Sequence, residues 1–64
     1  MFKMEVKTGG AAFCNPDTGE EDKVCEGLEI ARLLREIADV VEVGIGTSGS
    51  IVDINGNKVG SWSR

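Results

Sequence analysis

The chain has 64 residues, 41% hydrophobic and 28% charged, with seven basic and eleven acidic side chains and a net charge of −4. A chain this short holds one domain, residues 1–64, and buries only about 60% of the surface its unfolded form exposes, which excludes an enzyme core of ordinary size. It contains no histidine, so the commonest general base and zinc ligand are missing, and its acidic balance argues against holding a phosphate backbone.

Residues 2–7 alternate, with Phe2, Met4 and Val6 on one side and Lys3, Glu5 and Lys7 on the other. That spacing predicts a strand with one wet face. A secretory signal would instead show a basic start and an unbroken apolar run, and no stretch reaches the roughly 20 apolar residues of a membrane span. A cytoplasmic protein is expected. Residues 8–21 read as a loop. Thr8-Gly9-Gly10 ends the strand, and Ala11-Ala12-Phe13 reads as a short extended piece whose phenylalanine anchors the loop. Asn15-Pro16-Asp17-Thr18-Gly19 is a turn, since proline presets φ and Asn and Asp bond nearby amides.

A helix over residues 22–43 follows. Thr18 with Glu21 fits a capping box, and Asp22 is a second candidate N-cap. Ile30, Leu34, Ile37 and Val41 recur at steps of four, three and four and form the predicted buried stripe. Arg32, Arg35, Glu36 and Asp39 form the opposite face, and Gly44 is the expected left-handed stop. After a Gly44–Gly49 loop, strand 49–54, an Asn55-Gly56 turn and strand 57–63 predict a type I′ hairpin. A two-residue loop would pair Ile54 with Asn57, Val52 with Val59 and Ser50 with Ser61. Val52, Ile54 and Val59 are then assigned to the helix side, and Ile51 and Trp62 to the other. The expected fold is α+β, β-α-β-β. One amphipathic helix packs on one face of a three-stranded antiparallel sheet, with the first strand beside the last.

Few motifs carry chemistry. Gly44-Ile45-Gly46-Thr47-Ser48-Gly49 spells G-x-G-x-x-G. A dinucleotide fingerprint needs a strand before it and a helix after it, and here the order is inverted. Backbone amides of Gly44, Gly46, Thr47, Ser48 and Gly49 remain a candidate anion nest for a nucleotide-like ligand. Asp53, Asn55 and Asn57 start like a calcium loop, but Lys58 and Arg64 stand where glycine and a bidentate acid are required. Cys14 and Cys25 read as free thiols in a reducing compartment or as a bridge, and Cys25 near a helix start has a position that can lower a thiol pKa. No nucleophile–base pair is visible, and no cofactor or metal is expected. Residues 17–29 carry six acids and one lysine. They serve the helix dipole, or they meet a basic surface through Glu20, Glu21 and Asp22. Trp62 and Ile51, on a sheet face the helix does not cover, either close that face or anchor a partner, self-association included.

Thr8-Gly9-Gly10-Ala11-Ala12-Phe13, Ala31-Arg32-Leu33-Leu34-Arg35-Glu36-Ile37-Ala38 and Asp53-Ile54-Asn55-Gly56-Asn57-Lys58-Val59-Gly60 together resemble a group of very small proteins from phages and mobile elements of gut Firmicutes. The likeness spans nearly the whole chain and carries over no catalytic residue. The segment Asn15 to Lys23 is longer than the group's pattern. The resemblance implies a phage or integrative element in an anaerobic bacterium, and an acidic protein that acts on a host or element-encoded protein, a defence nuclease for example. A structural module of a larger assembly is the remaining alternative.

Overall fold

The computed structural model describes residues 1–44 and 46–64; Ile45, within the glycine-rich motif, lies outside the described residues. The elements run β1 (Lys3–Val6), a single 3-10 turn (Ala11–Phe13), α1 (Lys23–Val43), β2 (Ser48–Val52) and β3 (Lys58–Ser63). All strands pair antiparallel in the order β1-β3-β2, so β3 is central. The fold is α+β, with α1 packed on one face of an open three-stranded sheet. Among the described residues no helix is long and apolar enough to cross a membrane.

Local chemistry explains the boundaries of α1. Asp22 is the N-cap, and its carboxylate accepts from the amides of Val24 at 2.8 Å and Cys25 at 3.3 Å. These bonds satisfy donors that the first turn leaves unpaired. Thr18 instead accepts from the Glu20 amide within the loop. Gly44, at φ 77°, ends the helix. Ala11–Phe13 is a 3-10 turn rather than an extended piece, but Phe13 is buried and anchors the loop as expected.

The register of β1 on β3 decides which sheet face meets the helix. Met4 lies opposite Trp62 and Val6 opposite Gly60. Directly opposed residues share a face, so the apolar side of β1 is also the side of Trp62. Gly49 lies opposite Trp62 from the other strand, and Ile51 opposite Gly60. Trp62 and Ile51 are therefore in the core, only 4% and 1% exposed, with Phe13, Leu33 and Ile37. The expected face assignment is reversed for Ile51, Trp62, Val52 and Ile54, while Val59 packs against the core as expected. Val52 and Ile54 are exposed, and Lys3, Glu5, Ser48, Ser50, Ser61 and Ser63 make the outer face polar and wet. Trp62 and Ile51 thus offer no contact surface, and the outer sheet face lacks the apolar patch that self-association there would need.

The hairpin turn also differs from the expected type. No non-glycine residue among those described has positive φ, which excludes a type I′ turn on Asn55-Gly56. The loop is Ile54-Asn55-Gly56, closed by Asp53 N–H to the Asn57 carbonyl at 2.9 Å and by Gly56 N–H to the Asp53 carbonyl at 3.0 Å. Gly56, at φ 84°, takes the left-handed position that follows a type I turn. Ser50 pairs with Ser61 as expected, but Val52 pairs with Lys58, which leaves Val59 as an extra residue in a bulge. The bulge turns Val59 toward the core, where it is partly buried.

The helix is rotated from its expected setting. Its buried residues are Glu29, Leu33 and Ile37. Ile30 and Val41 pack at the edge of the core, and Leu34 is half exposed. Arg32, expected on the far face, is drawn in beside Glu29.

Gly60 and Gly27 test this packing from opposite directions. A Cβ on Gly60 would run into the Glu5 carbonyl and stand 3.0 Å from the Val6 Cα, whereas one on Gly27 would meet open space. Gly60→Ala is expected to destabilise by about 3 kcal/mol or more in urea unfolding. Gly27→Ala is expected to stabilise by about 0.5–1 kcal/mol, since alanine is the better helix former. Trp62→Ala is expected to cost about 3–5 kcal/mol through lost core volume.

Candidate functional site

The end of the molecule where the hairpin turn meets the first half of α1 gathers its polar chemistry. Asp53 is buried, and one of its carboxylate oxygens accepts from the amides of Asn55 and Asn57, each at 2.9 Å. The remaining turn amide, Ile54 N–H, donates to Glu29 Oε2 at 2.9 Å across a separation of 25 residues. Glu29 is also buried, and Arg32 grips both of its oxygens, Nε at 2.7 Å and Nη2 at 2.9 Å. Arg32 Nη1 continues to Glu36 at 2.9 Å. Among the described residues no buried side-chain polar atom lacks a partner.

These contacts set the ionisation of the group. The bidentate bond from Arg32 holds the Glu29 carboxyl below its ordinary value, with help from the Ile54 amide and against the cost of burial. Arg32 is pushed up in return. The Val24 and Cys25 amides hold the Asp22 carboxyl below the ordinary aspartate value. Glu29 and Arg32 are structural here, since their hydrogen-bonding capacity is turned on the fold itself. Sequence periodicity missed Glu29 because it treats every glutamate as a solvent residue. The Glu29–Arg32 spacing of three was the available signal.

Beside this network lies an open hollow of about 610 Å³, lined by Ala12, Cys14, Pro16, Cys25, Leu28 and Ile54 together with Glu29 and Arg32. Its outer lip is apolar and exposed. Leu28 is 68% exposed and Ile54 66%, and Val24, one helical turn before Leu28, is 71% exposed. Both cysteines are free and half-buried. Burial pushes the Cys25 thiol up, and the Asp22 and Asp17 carboxylates add to that rise. The shift runs opposite to the lowering that a place near a helix start can cause, and fits a half-buried thiol that packs as a small hydrophobe.

The six acids of residues 17–29 divide by role. Asp22 is spent on the cap and Glu29 on the hairpin. Glu26 pairs with Lys23 at 3.3 Å. Asp17, Glu20 and Glu21 remain exposed in the tight loop before α1, which is closed by Asn15 N–H to the Glu20 carbonyl at 2.8 Å and by an antiparallel bridge between Cys14 and Glu21. Of the three acids expected to meet a partner, Glu20 and Glu21 are available and Asp22 is not.

The glycine-rich stretch is built for something other than an anion. Ser48 and Gly49 belong to β2, and Gly44 is the helix stop. The Gly46 carbonyl accepts from Arg64 Nε at 3.1 Å and the Val41 carbonyl from Arg64 Nη1 at 3.3 Å. The Thr47 carbonyl accepts from the Arg64 amide at 2.8 Å. Carbonyls at the negative end of a helix dipole draw a cation and repel a phosphate. Gly49 is glycine because the Trp62 ring occupies the space of a side chain, 2.6 Å from where its Cβ would stand. Of the amides expected in a nest for a nucleotide-like ligand at Gly44, Gly46, Thr47, Ser48 and Gly49, that of Gly44 donates to the Val41 carbonyl, and Ser48 and Gly49 lie within β2. Among the described residues no group of three His, Cys, Asp or Glu side chains is placed to hold a metal.

The Glu29 contacts set an acid limit. A carboxylate whose folded pKa is depressed stabilises fully above its unfolded pKa, about 4.3, and loses that stabilisation as pH falls through the folded value. Stability measured by urea unfolding is expected to hold from pH 7 to about pH 5 and to fall below about pH 4. Glu29→Gln is expected to flatten part of that fall. Glu29→Ala, which strands the Ile54 amide and frees Arg32, is expected to cost about 2–3 kcal/mol at pH 7.

No protein-family model, curated protein or solved structure matches the chain.

Proposed function

We propose that the protein is a non-enzymatic binding module that docks on another protein through the hairpin end of α1. The observation that carries this reading is the exposed apolar pair Leu28 and Ile54 lining an open hollow, with Val24 exposed one helical turn before Leu28. A chain this small has little apolar surface to spare, and contiguous exposed apolar side chains mark interaction sites. The loop acids Asp17, Glu20 and Glu21 lie at the same end of α1, beyond its N-cap. An apolar centre with acids beside it fits a partner whose own contact is apolar with basic residues around it.

The partner class follows from the resemblance to small proteins of phages and mobile elements. A host or element-encoded protein in the bacterial cytoplasm, a nucleic-acid-processing enzyme of the defence type among them, carries the basic surface that this end would meet. The module acts by covering that surface. The anchors are Leu28 and Ile54, in place of the buried Trp62 and Ile51.

The test compares immobilised wild-type protein with Leu28→Asp and Ile54→Asp variants as bait for lysate of the host bacterium. Both side chains are exposed, so circular dichroism of the variants is expected to match wild type. Proteins held by wild type are expected to be lost from both variants and to elute at raised salt, because rim charges are screened. Recovery of the same proteins by all three baits would overturn the reading.

A further inference from the structure

The chain has two cysteines, and the fold brings both to one place. Phe13, buried in the core, fixes the residue before Cys14, and an antiparallel bridge to Glu21 fixes Cys14 itself. Cys25 lies in the first turn of α1, four residues before Glu29. It therefore continues the row of Glu29, Leu33 and Ile37 that the helix buries. The Ala11–Phe13 turn packs on α1, and Cys14 follows it directly. One carboxylate joins the two segments, since Asp22 accepts from Asn15 Nδ2 at 3.3 Å and from the Cys25 amide at 3.3 Å. Both cysteines line the same hollow, and both are free and half-buried.

We propose that Cys14 and Cys25 are a reversible dithiol–disulfide pair, oxidised within one chain by a low-molecular-weight disulfide. The exchange takes two steps. One cysteine loses its proton to water, and its thiolate attacks a sulfur of the small disulfide, releasing one small thiol. The other cysteine, deprotonated in turn, attacks the protein sulfur of that mixed disulfide. The Cys14–Cys25 bond forms and the second small thiol leaves. Two protein thiols are oxidised, and the small disulfide is reduced to two thiols.

Three properties of the reduced protein favour the bridge. The loop between the cysteines is already closed, by Asn15 N–H to the Glu20 carbonyl at 2.8 Å and by Gly19 N–H to the Asn15 carbonyl at 2.7 Å. The crosslink therefore takes its entropy from the unfolded chain more than from the folded one. The Cys14 thiol donates to the Gly10 carbonyl at 3.4 Å, a weak bond that is little to give up. Burial first, then the charges of Asp22, Asp17 and Cys14 itself, hold the Cys25 thiol above its ordinary value. A reduced form without a stabilised thiolate leaves the disulfide harder to reduce. The bridge staples the loop that carries Asp17, Glu20 and Glu21 to the first turn of α1. It needs only the two thiols, so it stands or falls apart from the partner contact proposed at the same hollow.

The chain is equilibrated with mixtures of oxidised and reduced glutathione at about pH 8.5, folded and, in parallel, in guanidinium chloride. Samples are quenched with acid, alkylated and weighed. The folded protein is expected to be a monomer lighter by two hydrogens, with Cys14 joined to Cys25 in its peptide map. Folding and crosslinking are linked, so the bridge is expected to be roughly a hundredfold more favoured in the folded chain than in denaturant, the factor for a loop of this length. Cys14→Ser and Cys25→Ser are expected to stop at the mixed disulfide with glutathione. A bridge no more favoured in the folded chain than in denaturant would overturn the inference. So would a folded wild type that stays reduced, or that yields only mixed disulfides or crosslinked dimers.

Discussion

The indole of Trp62 lies against the bare backbone of Gly49 on one neighbouring strand and opposite Met4 on the other. A side chain at position 49 would claim the same space. This contact spans all three strands, so it fixes their register and decides which face of the sheet is dry. Once Trp62 faces the helix, Ile51, Met4 and Val6 must face it as well, because side chains alternate along a strand and opposed residues share a face. The serines, Lys3 and Glu5 are left to cover the other side. A two-layer protein of this size needs no second cover when its outer sheet face is already polar.

A buried carboxylate ties the second layer to the first. Glu29 reaches from α1 to the Ile54 amide of the hairpin turn while Arg32 neutralises it from within the same helix. The contact costs desolvation, offset by three short hydrogen bonds. It gives direction that apolar packing lacks, for it rotates the helix so that Leu33 enters the core and Leu34 does not. The same rotation places Leu28 and Ile54 at one exposed end. The surface proposed for binding is thus a consequence of an ion pair made for stability.

Much of the scaffold was legible in the chain. Alternation in Phe2–Lys7, the cap at Asp22, the stop at Gly44 and the turn before Asn57 each rest on neighbours in sequence, and each element appears within a few residues of its expected place. The central position of β3 was also legible, because a strand, helix and hairpin leave few ways to close a sheet. The candidate site was less so. A plain two-residue hairpin puts Val52, Ile54 and Val59 on the helix side and Ile51 and Trp62 on the surface. That pairing contains neither the bulge at Val59 nor the glycine under the indole.

The sequence by itself determined the kind and order of the elements, their caps, and the absence of histidine-based chemistry in 64 residues. These properties depend on spacing along the chain and on residue type. Only the tertiary structure decided which faces are wet, since that depends on strand register and helix rotation, and both are set by contacts between residues far apart in sequence. The short length, which leaves room for a single helix over a single small sheet, makes those two choices decisive. Together they moved the exposed apolar surface from the sheet to the helix.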